Sequence, residues 1–136
     1  MTHAEFLSDR PGRQFDLINA KKSGSGDEGT LVSWNKSFEN ACNTRLAQWH
    51  QVKADFLFGL NERTVDLMDV FKRNYVDVRF GGSTSIKRVL PVLCPHLQYD
   101  DTAVHDGAGA MEAWLRMIES EDLGLRNELG AQLRDY

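Results

Sequence analysis

Asn35 is followed four residues later by Glu39, with Phe38 between them. All three stand where a strand-like run meets a helix-like run in Thr30-Leu-Val-Ser-Trp-Asn-Lys-Ser-Phe-Glu-Asn-Ala-Cys-Asn43. A carboxylate in the first turn of a helix can hold a divalent cation, as a nuclease-like site requires. One carboxylate is not a metal site, however. Glu39 serves equally as a first-turn acid that favours the helix dipole by roughly 0.3–1 kcal/mol. Asn35 or Ser37 can likewise be no more than the cap of that helix.

The search for partners gives little. Asp66 and Asp69 have three-residue spacing and would share one helix face, where a pair of carboxylates can hold a cation but is more often solvated. Asp100, Asp101, His105 and Asp106 precede a predicted helix start and are accounted for by capping. His3, His50, His96 and His105 form no zinc-type spacing. Gly-rich phosphate loops and nucleophile motifs are absent. Lys72, Arg73, Arg79, Lys87 and Arg88 cluster in sequence and can line a phosphate-contacting surface, although a solvated face explains them better.

The elements that must position these residues are short. His3–Ser8 is strand-like, and Asp9-Arg-Pro-Gly12 breaks it before a helix over 12–22 with Phe15, Leu17 and Ile18 on its apolar face. Ser23–Gly29 is a flexible loop, and a strand follows over Thr30–Trp34. The next helix spans about Ser37–Val52, with Phe38, Cys42, Leu46 and Trp49 as its buried stripe. Residues 53–60 continue as helix or loop, and Thr64–Phe71 is a strand-to-helix junction. A turn at Gly81–Thr84 leads to a helix over Ser85–Leu93 that buries Ile86, Val89, Leu90 and Leu93 and is kinked or shortened by Pro91. Two further helices follow. Ala108–Ser120 buries Met111, Trp114, Leu115 and Ile118, and Leu123–Tyr136 buries Leu125, Leu129, Leu133 and Tyr136. The last has no stop signal, so the expected boundary cuts through a helix. Strands separated by helices favour an α/β layer with a small sheet of two or three short strands.

At 136 residues the chain fits a single domain over 1–136. A net charge of −4 argues against whole-domain electrostatic binding to nucleic acid. No apolar run reaches the roughly 20 residues needed to span a bilayer, and no signal peptide is visible. Cys42 and Cys94 read as reduced core thiols of a cytoplasmic protein.

Several stretches together resemble a known family. They are Ala4–Leu7, Leu31–Glu39, Val65–Asp69, Gly82–Pro91, Leu97–Asp101 and Asp106–Met111. In order and spacing they are similar, from about residue 3 to residue 136, to the C-terminal part of a bacterial family catalogued as domain of unknown function 2779. That family in turn resembles the ribonuclease H-like 3′–5′ exonucleases with four acidic residues, whose acids hold two divalent metals for phosphodiester hydrolysis. The resemblance implies an incomplete ribonuclease H-like layer. Asn35, Phe38 and Glu39 match the second acidic motif, with Glu for the usual Asp. Tyr136 stands where the Tyr of the third motif would, and nothing matches the opening Asp-x-Glu strand.

The resemblance therefore implies a fragment of a larger exonuclease-like domain. In it Glu39 is a catalytic metal ligand, Tyr136 orients the attacking water, and Asn35 and Phe38 lie on the substrate side. Mg²⁺ or Mn²⁺ belongs to the complete parent domain, with no tight binding and no catalysis expected of this chain alone. The alternative is a non-catalytic module that contacts a protein partner or nucleic acid. Its unpaired sheet edge would invite homodimerisation.

Overall fold

A computed structural model describes residues 3–96, 104 and 106–135. The chain divides into two compact units, Gln14–Gln98 and Met1–Arg13 with Tyr99–Tyr136.

The first unit runs α1 (Gln14–Ser25), β1 (Leu31–Ser33), α2 (Lys36–Trp49), α3 (Ala54–Arg63), β2 (Thr64–Asp66), α4 (Met68–Arg73) and α5 (Ile86–Leu93). Single 3₁₀ turns stand at Gln51–Lys53 and Val78–Phe80. β1 and β2 pair in parallel, with Leu31 opposite Thr64, Val32 opposite Val65 and Ser33 opposite Asp66. Parallel neighbours need a long crossover, and α2 and α3 supply it. The result is helix-rich with one small parallel sheet, as an α/β reading requires.

The core of this unit is Ile18, Leu46, Ala47, Leu57 and Leu60, with Leu17, Leu31 and Phe56 packed on it. The expected stripe of α2 is displaced: the buried positions are Asn43, Leu46 and Ala47, while Phe38 and Trp49 lie outside, 62% and 61% exposed. An apolar count along the helix passes over Asn43, which is buried because it has polar partners. Lys21 Nζ donates to its Oδ1 at 3.0 Å, and its Nδ2 donates to Asn61 Oδ1 at 2.9 Å. With Asn43 inside, the inward face rotates away from Phe38 and Trp49.

Arg63 anchors the loop before β1. Its guanidinium donates to the carbonyls of Ser25, Gly26, Glu28 and Gly29. α1 therefore extends to Ser25, past Ser23 and Gly24, which the sequence assigned to the loop. In α5 only Val89 is fully buried and Leu93 is exposed. Pro91 removes one N–H, yet the helix runs on to Leu93 and closes with the Cys94 N–H on the Leu90 carbonyl.

The second unit joins residues 3–13 to α6 (Gly107–Glu119) and α7 (Leu123–Asp135). Its core is Val104, Ala113, Met117 and Leu129, flanked by Leu7, Trp114, Ile118, Leu125 and Leu133. Trp114 Nε1 donates to the Ser8 carbonyl at 2.8 Å, and Arg134 pairs with Glu5 at 3.0 Å. His3–Ser8 is not a strand. Side-chain packing of Leu7 and the Ser8 carbonyl hold that segment, with no ladder among the described residues. α6 buries Ala113 and Met117, leaving Met111 and Leu115 outside. In α7, Leu125, Leu129 and Leu133 face inward as expected. Asp106 caps α6 through the Gly109 N–H at 2.8 Å, and Asp122 caps α7 through the Gly124 N–H at 2.7 Å. No helix among the described residues is long and apolar enough to cross a membrane. Cys42 and Cys94 are free thiols.

Candidate functional site

The junction of β1 and α2 is built on Asn35. Its φ of 71° lies in the left-handed region, where Asn is among the few side chains readily tolerated. Its side chain does not cap α2 but accepts from Ser37 Oγ at 2.7 Å. Capping comes instead from Asp66, at the end of β2. One carboxylate oxygen accepts from the Asn35 N–H at 3.0 Å and the Met68 N–H at 3.0 Å, and the other from the Lys36 N–H at 2.9 Å. One anion thus satisfies donors at the start of α2 and at the exit of β2. Asp66 does not share a helix face with Asp69, as the spacing suggested. It is a strand residue, and Asp69 lies in α4, paired with Arg73 at 3.5 Å.

Glu39 follows in the first turn of α2, its N–H reaching the Asn35 carbonyl at 3.5 Å. Among the described residues its carboxylate has neither a hydrogen bond nor an ion pair. It lines a cavity of about 430 Å³ whose walls include Lys21, Ser33, Trp34 and Asn43. Ser33 Oγ is sealed from solvent and has no hydrogen-bond partner in the structure. Phe38 is exposed and is not among the residues that line this cavity.

Trp34 is the residue that sequence reasoning passed over. Its Nε1 donates to the Thr84 carbonyl at 3.0 Å, and its ring stacks on Phe71 with centroids 5.1 Å apart. Phe71 in turn meets Tyr75 and Phe80 edge-on. The turn is thereby braced from the side by an aromatic cluster. A Trp beside a predicted turn was the available signal, but its partners lie 37 and 50 residues away.

Electrostatically the site is sparse. Among the described residues no three His, Cys, Asp or Glu side chains converge. Asp66 already accepts three N–H groups, so among the described residues Glu39 is the only carboxylate at the turn without a partner. These residues do not by themselves fit a two-ion centre. Tyr136, Asp100, Asp101 and His105 lie outside the described residues. Of the expected basic cluster, Arg73 pairs with Asp69, and Arg79 grips Asp77 through side-chain and backbone hydrogen bonds. Those bonds hold the Asp77 carboxyl down at about 2 and push the Arg79 guanidinium up.

Comparison with protein-family models matches residues 1–85 to the family described as domain of unknown function (DUF2779). The chain belongs to that family. The match takes in β1, the Asn35–Glu39 turn, α2, α3 and β2, and it ends before α5. Residues 86–136, which include the Ile86–Pro91 and Asp106–Met111 stretches, fall beyond the matched range. Neither a curated protein nor a solved structure matches the chain.

Proposed function

We infer that this DUF2779 chain carries one acidic element of a cytoplasmic, metal-dependent nuclease domain that hydrolyses phosphodiesters. Glu39 is its metal-binding carboxylate, and Asn35 and Phe38 flank the substrate side. Tyr136 orients water in the same scheme. The observation that carries this reading is the unpartnered Glu39 carboxylate, presented on a cavity by a left-handed Asn35 turn between strand and helix. Mg²⁺ or Mn²⁺ would supply Lewis-acid activation of water, with the remaining acids contributed by residues other than those described. A single carboxylate and water hold such an ion weakly.

Mn²⁺ titration of ¹⁵N-labelled chain tests it. Paramagnetic broadening centred on Asn35–Glu39, abolished by Glu39→Gln, is the expected result. Broadening that ignores Glu39, or none at all, overturns the assignment of the ligand.

The second reading, a non-catalytic binding module, is favoured by the sheet. Val32 and Val65 are paired in register, and 63% and 49% of each is exposed. Parallel sheets are normally covered on both faces. The Ser33 carbonyl accepts from the Leu67 N–H, so the backbone groups of Val32 point away from β2 and leave an edge to pair. Sedimentation at low salt should then detect association, and a strict monomer counts against pairing of copies.

A further inference from the structure

The cavity beside Glu39 holds two opposite charges that do not neutralise each other. Lys21 Nζ spends one of its three donors on Asn43 Oδ1. Asn43 is 4% exposed and is itself tied to Asn61, so the ammonium is fixed at the cavity wall. Glu39 and Asn43 stand one turn apart on α2, with Cβ atoms about 5–6 Å from each other. Lys21, with its ammonium resting on Asn43, and Glu39 therefore line the same cavity without forming an ion pair. Ser33 also lines the cavity, with its Oγ turned out of reach of solvent. The remaining wall is mixed: Leu31, Val32, Leu60 and Trp34 form its apolar part, beside Ser25 and Thr64.

Without the further acids that the nuclease reading supplies, a metal cation would answer Glu39 and be repelled by Lys21. A simple anion would answer Lys21 and be repelled by Glu39. Only a ligand carrying both signs answers both, and the apolar part of the wall gives a hydrocarbon body a place to lie. We propose that this cavity binds a small zwitterion of the α-amino-acid class. The ligand ammonium donates to Glu39, its carboxylate accepts from Lys21, and its side chain lies against Leu31, Leu60 and Trp34. An α-amino acid carries its two charges on one carbon, which suits groups a helical turn apart. The inference goes beyond the nuclease reading and requires no metal.

The test titrates the ¹⁵N-labelled 136-residue chain, in EDTA, with L-leucine, isocaproate and isoamylamine. L-leucine should shift the amide signals of Lys21, Ser33, Glu39 and Asn43. Isocaproate lacks the ammonium and isoamylamine lacks the carboxylate, so each should bind about tenfold more weakly or worse. Glu39→Gln should weaken L-leucine by about the same factor and strengthen isocaproate, because the repelling carboxylate is gone. Equal binding of all three ligands, no shifts at these residues, or undiminished L-leucine binding by Glu39→Gln overturns the proposal. EDTA separates it from the Mn²⁺ experiment, so either can fail alone. The ligand analogues need no variant and report even where a substitution disturbs folding.

Discussion

Replacing Asp66 by Ala removes the one side chain that ties the end of β2 to the start of α2. Three backbone N–H groups, at 2.9–3.0 Å, lose their acceptor. A hydrogen bond to a charged group contributes about 1.5–3 kcal/mol net, and loss of an N-cap costs about 0.5–2 kcal/mol. The Asn35 and Lys36 donors sit at a half-buried helix start, where water replaces part of what is lost, so the lower values apply. With about 1.5 kcal/mol for the Met68 bond and about 0.5–1 kcal/mol for each of the two at the helix start, we expect about 3 kcal/mol for Asp66→Ala. Asp66→Asn keeps an oxygen for Asn35 and Met68 but turns an amide group against the Lys36 N–H, so about half that loss is expected. In a unit the size of Gln14–Gln98, 3 kcal/mol lowers the thermal midpoint by roughly 12–24 °C. Urea and thermal unfolding followed by far-ultraviolet circular dichroism measure both variants. If Asp66→Ala stays within about 0.5 kcal/mol of the parent, or if Asn costs more than Ala, the capping role assigned to Asp66 is wrong.

Three further outcomes are expected. Asn35→Gly should leave stability nearly unchanged, whereas Asn35→Val, forced to φ 71°, should cost about 1–2 kcal/mol in urea unfolding. Leu57→Ala, at a position with no exposure, should cost about 2–5 kcal/mol by the same measurement. The Asp77 carboxyl, held at about 2 chiefly by the Arg79 side chain, should titrate near that value by ¹³C NMR. Because its folded value lies below the unfolded one, its stabilising contribution is present above about pH 4 and is lost as pH falls towards 2. Arg79→Ala should return the titration to the ordinary aspartate range.

Local signals sufficed for the β1-turn-α2 segment. The strand, the turn at Asn35 and the helix that follows are written in contiguous residues with distinct propensities. Long-range partners were not legible. Asp66 looked like half of a helix-face pair because its donors lie 30 and 31 residues upstream. Phe38 and Trp49 looked buried because apolar spacing cannot reveal that Asn43 has Lys21 and Asn61 to satisfy it. Met111 and Leu115 failed for a related reason. α6 is apolar on two faces, and only packing against α7 decides that Ala113 and Met117 face inward. Among the described residues the sequence found the acid at the turn but not Ser33, whose missing partner is visible only once the cavity is closed.

The hydrogen bond from Trp114 to the Ser8 carbonyl joins residues 106 apart along the chain. Bringing such distant points together in an unfolded chain costs roughly 4 kcal/mol of loop-closure entropy. If the intervening Gln14–Gln98 unit has already collapsed on its own core, much of that loop is no longer free, and the cost falls. The connectivity thereby favours one order of assembly. Pulse-labelled amide exchange should then find the inner segment protected first, and α6, α7 and residues 3–13 only afterwards. A lesion in the core around Leu57 would then delay the closing of the other unit as well.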